Sequence, residues 1–261
     1  MAQPYVACLH SAWWDIFTLI KKQNKPTLNT GSDMITFPRP DGKLVEAYLV
    51  EPTDTENAPG VVVIQEWWGL DDEIKDAADR LAKAGYRALV PDLYEGEVAL
   101  EANEAEHLMG GLDFAIAASH DIRGAVQYLK STGSAKVAVT GFCMGGALTV
   151  LSAGNIPELD ATVVWYGYPP LEYVDANAIT KPMLAHWALH DEFFAIAGVD
   201  QLEEKFKLAG VNYDFHRYDA KHAFANPKSE TRGLPPLEYN PQAAELAWDR
   251  TLNFLKKYLA K

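Results

Sequence analysis

Cys143 sits in Gly141-Phe142-Cys143-Met144-Gly145-Gly146, between the apolar run Val137-Ala138-Val139-Thr140 and the small-residue stretch Ala147-Leu148-Thr149-Val150. That order reads as strand, sharp turn, helix. A nucleophile on such a turn has strained backbone angles, and glycines at minus two and plus two remove collisions around it. The thiol then lies beside a helix N-terminus, whose unpaired N–H groups favour an anion. The chemistry implied is attack by a thiolate on a carbonyl carbon. With a reference pKa of about 8.5, a cysteine is only a few per cent thiolate at neutral pH. The helix end supplies roughly 0.3–1 kcal/mol toward the anion, so a base must contribute as well. The plainer alternative is a small buried hydrophobe, which describes most free cysteines. The full strand–GxCxGG–helix pattern favours the nucleophile. A nucleotide-phosphate loop is disfavoured, since neither GxGxxG nor a following GK[ST] is present.

A thiol nucleophile requires an imidazole and a carboxylate to orient it, expected in the chain order nucleophile, acid, base. Asp191 follows the apolar stretch 183–189, and His222 lies in a loop just beyond the strand-like segment 211–218. Glu192 is the rival acid. His186, His190 and His216 fall in or at strands, His107 and His120 in helical sequence, and His10 near the start. Each of these reads as a packed or surface group. Neither HExxH nor paired CxxC spacing occurs, so a metal is not indicated. The aromatic residues Trp67, Trp68, Tyr94, Phe142, Trp187, Phe193 and Phe224 would suit an apolar or ring-bearing acyl group, although ordinary core packing would also explain them.

The elements that must position these groups alternate along the chain. Strands are expected at 34–37, 44–50, 61–65 and 87–91, then at 136–141, 161–167, 183–189 and 211–218. Helical patterns occupy the stretch carrying Ile74, Ala77, Ala78 and Leu81 and ending near Gly85, then roughly 100–131, the stretch after Cys143, 199–209 and 244–259. Continuous apolar strands separated by helices predict an α/β domain. Its sheet should be mixed and mostly parallel, with helices on both faces. Residues 1–30 read as an N-terminal extension packed on a single domain at 31–261. Trp13, Trp14, Phe17 and Ile20 also allow a short lid or dimer arm. The proline-rich loop 226–241 is too polar for core and is expected to border a pocket.

The chain has 261 residues, 48% of them hydrophobic, and a formal net charge of −13. That charge disfavours nucleic acid and anionic lipid as partners. No apolar run of about 18 residues is present, so no membrane span is expected. Cys8 and Cys143 make no disulfide framework, which fits a reduced, cytoplasmic setting. A monomer or homodimer acting on a small molecule is the simplest expectation.

Together, Val63-Ile64-Gln65-Glu66-Trp67-Trp68-Gly69-Leu70, Pro91-Asp92-Leu93-Tyr94, Thr140-Gly141-Phe142-Cys143-Met144-Gly145-Gly146, Trp165-Tyr166-Gly167, the Asp191 loop and His222-Ala223-Phe224 resemble the dienelactone hydrolase (carboxymethylenebutenolidase) family. The likeness covers nearly all the chain beyond residue 30. It implies an α/β-hydrolase fold, no cofactor, and a Cys143–His222–Asp191 triad. Glu66 would accept a hydrogen bond from the resting thiol, and the backbone N–H groups of Trp67 and Met144 would form an oxyanion hole. Trp68, Tyr94, Phe142, Trp187, Phe224 and Asn226 would contact substrate. The family acts on enol-lactones, giving maleylacetate-type products, or on other small esters. Its carboxylate-holding arginines correspond here to Gly96 and Asn226, with Lys221 and Arg217 as nearby substitutes. An enol-lactone hydrolase, a broader carboxylesterase on small or aryl esters, and a non-catalytic binding protein on the same fold are the three readings.

Overall fold

The computed structural model describes residues 33–54 and 56–260. The extension 1–30 and its tryptophans lie outside them.

Eight strands form one sheet. They are β1 (Asp33–Pro38), β2 (Leu44–Val50), β3 (Gly60–Ile64), β4 (Arg87–Pro91), β5 (Val137–Phe142), β6 (Ala161–Trp165), β7 (Met183–Ala188) and β8 (Tyr213–Tyr218). Their spatial order is β1-β2-β4-β3-β5-β6-β7-β8. β2 runs antiparallel to β1 and β4, and every pairing from β4 to β8 is parallel. The sheet is therefore mixed and mostly parallel, as expected for the α/β-hydrolase fold.

β3 through β7 are buried along their whole length, which explains why their sequences are continuous apolar runs. Successive side chains go to opposite faces. Val61 and Val63 join one core layer with Leu81 and Trp248, while Val62 and Ile64 join another with Leu129 and Leu148. Each fully buried Val or Ile side chain contributes about 1.5–3 kcal/mol. The first layer is covered by α1 (Asp72–Lys83) and α7 (Pro241–Leu259).

Local chemistry sets the helix ends. Asp71 caps α1 by accepting from the Ile74 N–H, and Asn240 caps α7 with Pro241 in the first turn. The helical stretch expected at 100–131 is divided. α2 (Ala102–Gly111) stops after two glycines, and Asp113 caps a new start at α3 (Phe114–Ile116). A π-helical turn, Ala117–Ile122, then leads into α4 (Arg123–Ser131). α5 (Met144–Asn155) and α6 (Ile196–Ala209) complete the set.

His186 is buried within β7. Its two ring nitrogens bond the Tyr218 hydroxyl at 2.9 Å and Thr251 Oγ1 at 2.8 Å. Burial depresses its pKa, which keeps the ring neutral in the core.

Candidate active site

Because β3 and β5 to β8 are parallel, their C-terminal ends share one edge of the sheet. Glu66 follows β3, Cys143 follows β5, Tyr166 follows β6, Asp191 lies beyond β7 and His222 beyond β8. Topology thus collects five residues scattered over more than half the sequence.

Cys143 caps α5 with φ +54° and ψ −117°, a conformation costly for any residue with a Cβ. Its N–H bonds the Trp165 carbonyl at 3.0 Å, and its own carbonyl accepts from Gly146 N–H at 2.9 Å. The turn is held from both sides. A Cβ on Gly145 would lie 2.5 Å from the Ile64 carbonyl oxygen and 2.6 Å from that of Gln65. The elbow packs against β3 that closely, so no side chain fits. Tyr166 (φ +37°) and Ala223 (φ +58°) also have left-handed backbones, placing two further strained residues beside the same edge.

His222 is 2% exposed and Asp191 9%. Asp191 Oδ2 accepts from His222 Nδ1 at 2.7 Å, while Oδ1 accepts the N–H groups of Phe193 and Phe194, each at 2.8 Å. The carboxylate is thereby locked, and it sets the ring's tautomer and direction. Cys143 and His222 line one space, and the cysteine is near enough to raise the imidazole pKa. Since Nδ1 is taken by Asp191, Nε2 is the nitrogen left for sulfur. Burial works against a charged imidazole, but the Cys143 charge and the Asp191 bond outweigh it and lift the His222 pKa to about 10. The rings of Tyr166, Phe193 and Phe194 surround this imidazole at centroid distances of 5.1, 5.0 and 5.5 Å.

Glu66 is buried, which pushes its carboxyl pKa up against the opposing pull of His222, Asn226 and Arg232. Its oxygens accept from the Tyr166 hydroxyl at 3.4 Å and from Asn226 Nδ2 at 3.0 Å. Glu66, Trp67, Trp68, Cys143, His222 and Asn226 share the small space beside the sulfur. Met144 opens α5, so its N–H has no partner within the helix. The Tyr94 hydroxyl donates to Met144 Sδ at 3.3 Å, and burial together with the Cys143 charge raises its pKa.

The remaining expected contacts are placed elsewhere. Trp187, 1% exposed, packs edge-on to Phe215 and Tyr168 in the core. Phe224, fully buried, packs among Trp165, Tyr166 and Tyr218. Phe142 stacks on Trp165 at 5.0 Å. Trp187 and Phe224 point into the layers rather than over the sheet edge, whereas Phe142 also lines a cavity beside Glu66. Arg217 is spent on Asp200 and Glu203, and Lys221 on Glu238, so neither replaces the family's arginines. Sequence reasoning passed over Arg232, whose guanidinium lies 4.3 Å from the Trp68 ring centroid and pairs with Asp71 and Glu73. Its position in the polar loop 226–241, flagged as a pocket border, was the available signal. Phe194 and the hydroxyl of Tyr166 were also passed over. Among the described residues no group of His, Cys, Asp or Glu side chains is arranged to hold a metal.

The dienelactone hydrolase family model matches residues 45–259. The chain belongs to the dienelactone hydrolase family. Members of this family are hydrolases of small esters and lactones on the α/β-hydrolase fold. The chain is 36% identical over 239 residues to "Protein usf" of Aquifex pyrophilus, covering 87% of this chain and 98% of that one. It is 33% identical to a protein of Aquifex aeolicus provisionally named carboxymethylenebutenolidase, again covering 87% and 98%. A crystal structure from Klebsiella pneumoniae subsp. pneumoniae, provisionally named a dienelactone hydrolase, superposes with a TM-score of 0.75 at 25% identity. It covers 87% of this chain and 99% of that one. Among the described residues of this family member, no helix is long and apolar enough to cross a membrane.

Proposed function

We propose that this dienelactone-hydrolase-family protein hydrolyses small esters and enol-lactones through a thioester on Cys143. The observation that carries this reading is the 2.7 Å Asp191–His222 bond at the sheet edge, with His222 and Cys143 lining one space there.

The Cys143 sulfur attacks the carbonyl carbon, and the carbonyl oxygen gains charge facing the N–H groups of Trp67 and Met144. As the tetrahedral centre collapses, the carbon–oxygen bond breaks and the leaving oxygen takes the proton from His222. Forming the thioester consumes the negative charge on sulfur. That charge supports the His222 proton, so acylation turns the imidazole into a base. His222 then takes a proton from water as the water oxygen attacks the thioester. The carbon–sulfur bond breaks, and the starting ion pair returns. In this reading Glu66 accepts a hydrogen bond from the thiol before substrate binds, and the thiol proton itself ends on His222, where the leaving oxygen collects it; burial raises the Glu66 carboxyl pKa.

Between substrates, the structure favours an uncharged ester over a carboxylate-bearing enol-lactone. Gly96 and Asn226 carry no charge, while Lys221 and Arg217 are paired elsewhere. The direct test is intact-protein mass spectrometry after acid quench during turnover of a lactone and ester panel. The expected result is one acyl adduct, mapped to Cys143. Turnover with an acyl group on another residue, or with no adduct under single-turnover conditions, would defeat the proposal.

The ion pair also predicts a pH dependence. The folded His222 pKa of about 10 lies above the ordinary value of 6.5. Its stabilising contribution is therefore complete below pH 6.5 and disappears as pH rises through about 10. Urea unfolding from pH 6 to 10.5 should show this loss. Alkylating Cys143 with iodoacetamide should remove most of it, because the sulfur charge is gone. An unchanged pH profile after alkylation would show that sulfur does not hold the proton.

A further inference from the structure

A cavity of about 210 Å³ lies against Glu66. Ile74 and Ala77 of α1, Phe142, Tyr166 and Trp248 of α7 give it apolar, largely aromatic walls. Glu66 and Asn226 line both this cavity and the space beside Cys143 and His222, which measures only about 10 Å³. A space of that size holds about one water. An acyl group of any bulk therefore needs room beyond that space. The Glu66–Asn226 pair, joined by one 3.0 Å hydrogen bond, is a wall with empty volume behind it.

The cavity's size and charge define its ligand. An apolar cavity of about 150 Å³ is enough to hold benzene, so this one admits a substituted aromatic ring. The cations in its lining are already paired. Arg80 pairs with Glu245 at 2.8 Å, Lys228 with Glu73 at 3.2 Å, and Asp71 with Arg232 at 2.6 Å. An entering carboxylate would meet Glu66 and Asp76 without an unspent cation among the described lining residues.

We propose that this cavity is a binding pocket for an uncharged aromatic ring of the substrate, joined to the reaction centre when Glu66 and Asn226 part. The assignment rests on the ester-hydrolase reading above, but the pocket can be tested separately from it. Ala77 is half-buried on α1 and outside the proposed catalytic machinery. Ala77→Phe should fill the cavity, and Ala77→Leu should fill it in part.

Calorimetry on the full chain should show indole binding to the wild type and indole-3-carboxylate failing to bind. Ala77→Phe should weaken indole roughly tenfold or more, with Ala77→Leu intermediate. In kinetics, the Phe variant should lose a similar factor in kcat/KM on phenyl acetate or ethyl phenylacetate, whichever places its ring there. Ethyl acetate should stay within about twofold. If indole does not bind, binds equally well to both variants, or binds no better than the carboxylate, the pocket assignment is overturned. If indole binding behaves as expected but no ester is hydrolysed, the pocket stands and the ester-hydrolase reading falls.

Discussion

Replacing Cys143 with serine should cut ester hydrolysis by roughly 10³-fold or more while leaving the fold intact. The two side chains are nearly isosteric and the strained turn is imposed by packing, so the fold should persist, with only the stability tied to the His222 proton lost along with the sulfur charge. The loss follows from the proton balance. In the proposed mechanism the sulfur attacks as an anion beside the α5 N-terminus, its proton already passed to His222. A serine hydroxyl would have to surrender its proton during attack, to an imidazole whose burial disfavours the resulting charge. Initial rates on an aryl ester, with urea midpoints as the folding control, give the comparison. Serine turnover within about tenfold of wild type would show that thiolate formation is not what this site supplies.

Gly141→Ala should damage both stability and rate. A Cβ at Gly141 would fall on the Gly145 carbonyl, with Thr149 Oγ1 only 2.7 Å away. Thr149 already donates to that carbonyl at 2.8 Å, so the oxygen cannot move freely. Relief requires displacing the first turn of α5, most of which is buried. Overpacking of this kind costs about 1–3 kcal/mol, and the upper end is expected here because the clash is with backbone. The same displacement shifts Cys143 relative to His222. A misplacement of about 1 Å costs roughly 10²-fold in rate. Urea unfolding and kcat/KM on one ester would measure the two losses. A wild-type midpoint with wild-type turnover would mean that the elbow tolerates a methyl group and is looser than its geometry indicates.

Several features were legible from sequence because local physics determines them. The glycine spacing around Cys143 has one good explanation, a turn too tight for side chains. The continuous apolar runs at 61–64 and 137–142 required a sheet covered on both faces. Boundaries were less secure where a side chain changes the chain's direction. The strand expected at 61–65 spans Gly60–Ile64, and Gln65 instead accepts a hydrogen bond from Leu93 N–H. The long helical pattern broke at Asp113, whose carboxylate outcompetes helix continuation by capping Ala115 and Ile116.

Aromatic residues marked the limit of linear reading. Trp187 and Phe224 were expected around a substrate, yet both fill the core. An aromatic beside a loop motif looks the same in sequence whether it faces the cleft or the layer beneath. Arg232 shows the converse: nothing local distinguishes it from any loop arginine. Only folding places it over Trp68 and between two carboxylates.

Residue types and their order along the chain were enough to specify an α/β sheet, a thiol at a strand-to-helix turn, and a later acid and histidine. Those properties depend on neighbours within a few positions. The partners of Glu66 and the cavity behind Asn226 depend on segments 100 or more positions apart meeting at one edge. Such meetings are settled by how side-chain volumes and charges satisfy one another in three dimensions, information that no short stretch of chain contains.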